Sequence, residues 1–200
     1  MIKAVIFDYN GVITVPGDFE SFLADKAKKT NREATAIQRL VREHWDRAKV
    51  GALDSELLWV QAADYFHCPR LELRQEWLSW FRLRKDLLLF IKQLKRNYKT
   101  ALLTNIIRDW FEQVRPEQHL DDYFDVIVTS YEAQAAKPQP AIFKYALDQL
   151  GLKAEECIFV DDQEKNIRAA AALGFKTILF SSAEQLQQEL SKSGVSKKGI

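Results

Sequence analysis

The sequence predicts an α/β fold: a doubly wound parallel sheet with a small helical cap inserted after the first strand. Three observations carry that expectation. Five short runs are continuously apolar rather than alternating, the pattern of strands covered on both faces. Helical periodicity recurs between the later runs, and repeated strand–helix–strand order implies right-handed crossovers. One long stretch after the first run has no strand pattern.

The expected strands are residues 3–7, 100–103, 126–128, 157–160 and 177–180. Residues 87–96 place Leu87, Leu88, Ile91 and Leu94 on one helical face. Residues 141–150 do the same with Ile142, Tyr145, Ala146 and Leu150, and Gly151 follows as a stop signal. Residues 166–173 are Ala-rich and end at Gly174.

From about Asp18 to Arg84 the chain is charged and aromatic, with Trp45, Trp59, Trp77 and Trp80. Phe19, Phe22 and Leu23 begin one helical face there, and Ile37, Leu40 and Val41 a second. Leu57, Leu58 and Ala62 suggest a third, opened by Asp54 or Ser55. The expected division is therefore a discontinuous core, 1–15 plus 86–200, and a cap over 16–85. Lys26, Lys28 and Lys29 read as a solvated helix face, and the tail 191–200 as frayed.

Lys and Arg (29) nearly balance Asp and Glu (28), so no strong field directs the protein to nucleic acid or an acidic membrane. No run approaches the ~20 apolar residues of a membrane span, and Asp8 interrupts the apolar start, unlike a secretory signal. Cys68 and Cys157 form no metal-type spacing. A reduced, cytoplasmic setting and a monomer or homodimer are expected, with no membrane or nucleic-acid partner.

In an open parallel sheet, ligands bind beyond the carboxyl ends of the strands. The polar residues found there are Asp8 and Asn10 after the first strand and Thr104 and Asn105 after the second. Lys137 follows the third, and Asp161 and Asp162 the fourth. Carboxylates brought together repel, so a cation is needed to keep them ionised. Oxygen-only ligands fit a magnesium ion. Thr104 can donate to a phosphoryl oxygen, and Lys137 can neutralise charge. Magnesium, a lysine and a carboxylate nucleophile together suit phosphoryl transfer through an aspartyl-phosphate. Each residue also has a plainer reading: Asp8 as the end of a strand, Asp161-Asp162 as a helix cap, Lys137-Pro138 as a loop closure. The tryptophans are expected in packing rather than in a pocket.

Phe7-Asp8-Tyr9-Asn10-Gly11-Val12-Ile13, Leu103-Thr104-Asn105, Lys137-Pro138 and Phe159-Val160-Asp161-Asp162 through Asn166 stand in order, each beyond a strand. Together they resemble the four motifs of the haloacid dehalogenase superfamily, in the branch of sugar-phosphate phosphatases and the phosphatase domain of epoxide hydrolases. The resemblance implies Asp8 as nucleophile and magnesium ligand, the Asn10 carbonyl and Asp162 as further ligands, and Asp161 acting through water. It implies Thr104, Asn105 and Lys137 around the phosphoryl group of a small phosphorylated substrate, and Asn166 at least orienting the acidic loop.

One position departs from that pattern. Phosphatases of the family usually carry an aspartate two residues after the nucleophile, and this chain has Asn10, which cannot exchange a proton at neutral pH. The expected function is a magnesium-dependent phosphatase, slowed by Asn10. The alternatives are a weak or inactive binding or regulatory protein and a metal-independent dehalogenase, although the dehalogenase branch has tyrosine at this offset.

Overall fold

A computed structural model describes residues 1–15 and 19–195. The expected first residues of the insert, 16–18, and the end of the expected frayed tail, 196–200, lie outside the described residues.

A five-stranded sheet is built from β1 (Ala4–Phe7), β4 (Lys99–Thr104), β5 (Val126–Thr129), β6 (Cys157–Asp161) and β7 (Lys176–Leu179). Its order is β5-β4-β1-β6-β7, and every pairing is parallel, with β1 central. Each strand falls on one of the apolar runs. Side chains alternate between two buried clusters. Val5, Phe7, Leu102, Ile158 and Val160 face one, and Ala4, Ile6, Ala101, Leu103 and Phe159 face the other. Both faces being covered is why the strands read as continuous apolar runs.

The register sets the active end. Phe7 pairs with Leu102 on one side and with Val160 on the other. The next residue along, Asp8, therefore stands level with Leu103 and Asp161, with Thr104 one step further. The strand order reverses direction at β1, the topological switch point where such sheets bind ligands.

The helices around the sheet are α5 (Lys85–Leu94), α6 (Arg108–Glu117), α7 (Ser130–Ala133), α8 (Pro140–Leu150), α9 (Glu164–Ala172) and α10 (Ala183–Lys192). The predicted apolar face of α5 is buried at Leu87, Leu88, Ile91 and Leu94. Helix α8 ends at Gly151 with φ 65, the left-handed conformation glycine adopts without steric penalty. The expected fraying does not hold for the first part of the tail. Ser191 and Lys192 complete α10, and Val195 is buried.

Among the described residues between β2 (Thr14–Val15) and β3 (Arg82–Leu83) are four helices: α1 (Phe19–Lys29), α2 (Ala34–Ala48), α3 (Glu56–Phe66) and α4 (Arg70–Trp80). β2 and β3 form a short antiparallel ribbon, and Arg84 N donates to Ile13 O at 2.9 Å beside it. A strand was not expected in this stretch; two residues are too few to show a period of two. Phe19, Phe22 and Leu23 are buried as expected, but Leu40 and Leu57 are exposed. Asp54 Oδ1 accepts from Glu56 N at 2.7 Å and so helps open α3.

Lys26 corrects the reading of a solvated lysine face. It is buried, its Nζ lies 2.5 Å from Glu76 Oε2, and it stands over the Phe66 ring. Trp59 and Trp77 are buried in the same layer, where Phe19 meets both edge-on. The layer is clasped to the core at Asp109 of α6, which pairs with Arg74 and accepts from Trp59 Nε1 at 3.3 Å. Among the described residues no helix is long and apolar enough to cross a membrane.

Candidate active site

Asp8 follows the last residue of β1, and its amide donates to Val160 O at 2.9 Å, extending the ladder by one rung. Its side chain is buried. Oδ1 accepts from the amide of Tyr9 at 2.7 Å and lies 2.7 Å from Lys137 Nζ. The lysine is shared: its Nζ is also 2.8 Å from Asp161 Oδ2. The remaining capacity of Asp161 is taken up locally. Oδ1 accepts from Gln163 N at 2.8 Å, and Asn166 Nδ2 lies 3.0 Å from both oxygens. Asn166 thus orients Asp161, which in turn orients Lys137.

Lys137 is held from its backbone as well. Asn105 Oδ1 accepts from Lys137 N at 2.8 Å, and Asn105 Nδ2 donates to Lys137 O at 2.9 Å. The expected phosphoryl-side residue Asn105 therefore has both ends of its amide engaged by the lysine's backbone, while still lining the cleft above Asp8.

Asp162 completes an acidic group. One carboxylate oxygen from each of Asp8, Asp161 and Asp162 lies within 4.8 Å of the others. Asp8 and Asp161 are buried, and Asp162 is exposed. The chain makes room for it at Gly11, where φ is +89 and an added Cβ would stand 2.3 Å from Asp162 Oδ2. Sequence reasoning quoted Gly11 within a motif without giving it this task.

The electrostatics follow from burial. Desolvation pushes the Asp8 carboxyl up, to about 8; Lys137 pulls against it, and Asp161 and Asp162 push the same way as burial. Burial alone would make Lys137 a weaker base, but Asp161 and Asp8 outweigh it and hold the ammonium in place. With all three ionised, the three carboxylates against one lysine carry an excess of two negative charges. An all-oxygen donor set with that excess fits a hard divalent cation.

Thr104 Oγ1 is fully buried and has no hydrogen-bond partner among the described residues. Such an unmade bond costs about 1–3 kcal/mol; Thr104 itself is not among the residues that line the cleft. Asn10 lines the cleft, with its Oδ1 3.5 Å from the Thr14 hydroxyl.

The cleft has a volume of about 400 Å³. Its outer wall is a row on α2, Arg42, Trp45, Asp46 and Lys49, which sequence reasoning missed as a site. The spacing i, i+3, i+4, i+7 marks one helix face, but charged residues on such a face read first as solvated. Trp45, expected in packing, does both: it stacks on Phe19 with centroids 5.0 Å apart and lines the cleft.

A family model described as haloacid dehalogenase-like hydrolase matches residues 2–174. The glyceraldehyde 3-phosphate phosphatase of Methanocaldococcus jannaschii is 26% identical over 199 residues, covering 89% of this chain and 84% of that protein. The bifunctional epoxide hydrolase 2 of Rattus norvegicus is 33% identical over 104 residues, and the drimenol cyclase of Aspergillus calidoustus 25% over 197. The matched regions span only 18% and 36% of those two longer proteins. Among solved structures, a HAD family enzyme from Bacteroides thetaiotaomicron superposes with a TM-score of 0.80 at 21% identity, covering 94% of this chain and 98% of that one. The same enzyme in complex with magnesium and inorganic phosphate gives 0.73 at 22% identity, covering 92% and 96%.

Proposed function

The chain belongs to the haloacid dehalogenase-like hydrolases, and from that premise we propose that it is a magnesium-dependent phosphatase hydrolysing a small phosphomonoester through an aspartyl-phosphate on Asp8. The observation that carries this reading is the Asp8–Lys137–Asp161 chain beside Asp162. It combines a buried nucleophile, a fixed cation and a charge excess suited to a divalent ion. The glyceraldehyde 3-phosphate phosphatase relative and the magnesium–phosphate complex of the Bacteroides enzyme support the same chemistry.

In this reading Asp8, the backbone carbonyl of Asn10 and Asp162 hold the ion, and Asp161 acts from behind by fixing Lys137. Magnesium, when bound, offsets the carboxylate charge and that of the transferring phosphoryl group. A carboxylate oxygen of Asp8 attacks phosphorus in line, and the bond from phosphorus to the ester oxygen breaks. Lys137 stabilises charge at Asp8, and the Thr104 hydroxyl donates to a phosphoryl oxygen. Water then attacks phosphorus, releases inorganic phosphate and returns Asp8 to a carboxylate. The Asn10 amide has no proton to give, so the departing alkoxide takes one from water. The helical stretch between β2 and β3 acts as the cap, and α1 and α2 wall the cleft.

A metal-independent dehalogenase has less support, because it leaves the acidic excess without a use. A binding protein that has lost turnover is favoured by Asn10 alone. Hydrolysis of a phosphomonoester panel, with magnesium or with chelator and beside Asp8→Asn, tests the proposal. Acid-quenched protein should carry a phosphate mass adduct on the Asp8 peptide. Equal rates in chelator, or a phosphoryl adduct elsewhere, would overturn the reading; trapping without release would favour the binding protein.

A further inference from the structure

We propose that the cleft selects phosphomonoesters carrying a second anionic group, a carboxylate or another phosphate, with Lys165 as the principal recognition residue and Arg42 and Lys49 facing it. This rests on the phosphatase reading and goes further, to the class of substrate.

Size comes first. At roughly 30 Å³ per water-sized group, a cleft of about 400 Å³ holds far more than a phosphoryl group. The rest of the substrate must therefore lie against the outer walls. One wall is the α2 row, and its position relative to the phosphate end is fixed. Ser130 Oγ donates to Lys49 O at 2.5 Å and accepts from Ile106 N at 2.9 Å, two residues past Thr104. The cap wall and the phosphoryl loop thus hang on one buried hydroxyl. Trp45, backed by Phe19, supplies an apolar surface for the carbon skeleton between the two ends.

Charge decides what the far end carries. At the floor, Lys137 is already shared between Asp8 and Asp161 and is not available to a second anion. On the walls, Arg42 meets Glu20 at 3.5 Å and Lys49 meets Asp46 at 2.5 Å. The Arg42–Glu20 pair is exposed on both sides, of the kind worth about 0–1 kcal/mol, so a ligand can open it at small cost; Lys49 is half-buried beside an exposed Asp46. Lys165, exposed in the first turn of α9, has no ion pair or hydrogen bond among the described residues, although it lines the cleft. Its neighbours Glu164 and Arg168 pair with each other at 2.5 Å. The walls therefore carry one unmatched positive charge, on the core side, and two paired cations on the cap side, of which Arg42 has the weakly held partner. A neutral polyol would leave that charge unused; a second anion would meet it.

Matched substrate pairs test this. Phosphoglycolate and hydroxyethyl phosphate differ only in a carboxylate against an alcohol, and ethylene glycol bisphosphate supplies the second-phosphate arm. The wild type with magnesium should favour at least one anionic member by about tenfold or more in kcat/KM, mainly through KM. That preference should shrink at high salt, because exposed charges are screened. Lys165→Met should bring the ratio toward one, and Lys165→Arg should keep most of it, with circular dichroism checking the fold of each. If the wild type hydrolyses the neutral ester with no preference, the inference fails while the phosphatase reading stands. If Lys165→Met slows both members of a pair equally, Lys165 serves the transferred phosphoryl group and the assignment is wrong. If no ester is hydrolysed in magnesium, the phosphatase reading fails, and this inference with it.

Discussion

Asn105 brackets the backbone of Lys137, accepting from its N–H at 2.8 Å and donating to its carbonyl at 2.9 Å. Two residues on different loops are thereby locked, and the lysine that touches Asp8 inherits its position from an amide it does not contact through its side chain. Asn105→Ala should leave both backbone groups short of a partner, at about 1–3 kcal/mol in stability. It should lower kcat at least tenfold with a smaller change in KM. Asn105→Asp keeps the acceptor for Lys137 N but loses the donor, and should fall between wild type and alanine. A rise in KM with kcat intact would instead make Asn105 a substrate contact.

Lys137 itself separates two buried carboxylates. Lys137→Met should lower turnover by at least a thousandfold, and destabilise the metal-free protein by about 3–5 kcal/mol, the range for stranding a buried charge. Adding Asp161→Asn to that variant should recover stability without recovering turnover. Thermal denaturation and single-turnover kinetics read the two separately; joint recovery would show that Lys137 only maintains the fold.

At Gly11 the constraint is steric. With φ at +89 and the Cβ position 2.3 Å from Asp162 Oδ2, Gly11→Ala must strain the backbone or displace the carboxylate. Magnesium affinity, followed by calorimetry, should drop at least tenfold. Unaltered affinity would mean that Asp162 is not a ligand.

The site and the cap differ in how far the sequence reveals them. Asp8, Lys137, Asp161 and Asp162 are legible because a parallel sheet buries its strands on both faces and puts the next polar residues at one rim. The α4 helix is not legible: it buries only Leu73 and Trp77 among charged neighbours, so its apolar stripe is too thin to stand out. Lys26 is illegible for another reason. A lysine reads as solvated until its partner is known, and Glu76 is 50 residues away in the chain. The α2 row is visible as a face, but only the fold turns that face toward Asp8.

Burial of Asp8 gives a pH dependence whose sign can be worked out. Its pKa rises from 3.8 to about 8, so the folded chain holds this proton more tightly than the unfolded chain does. Stability from this group is fully present below the lower value, declines as pH rises, and is gone above about 8. In chelator, wild type should lose stability relative to Asp8→Asn across that window, by at most about 1.4 kcal/mol per pH unit. Magnesium should restore the wild type at the alkaline end and leave the variant nearly unaffected. Parallel melting curves for the two proteins in chelator would show that Asp8 is not desolvated in solution.

Asn10 is where this chain departs from the usual pattern of its family, and its place in the structure makes the consequence specific. It lines the cleft directly after the nucleophile's neighbour Tyr9, with its side-chain oxygen 3.5 Å from the Thr14 hydroxyl. An aspartate there has the same shape and the same backbone carbonyl, and adds a group able to give a proton to the departing oxygen and then take one from water. Such help is typically worth about 10²–10⁴-fold. Asn10→Asp should therefore raise phosphatase turnover at least tenfold near neutral pH, with less effect on KM. Asn10-Gly11 is also a sequence prone to spontaneous deamidation, so an aged preparation can acquire the acid form unaided. Intact mass and peptide mapping must accompany the kinetics. If fully amidated protein already turns over as fast as the Asn10→Asp variant, the leaving oxygen gets its proton from another group, and Asn10 is not what limits the reaction.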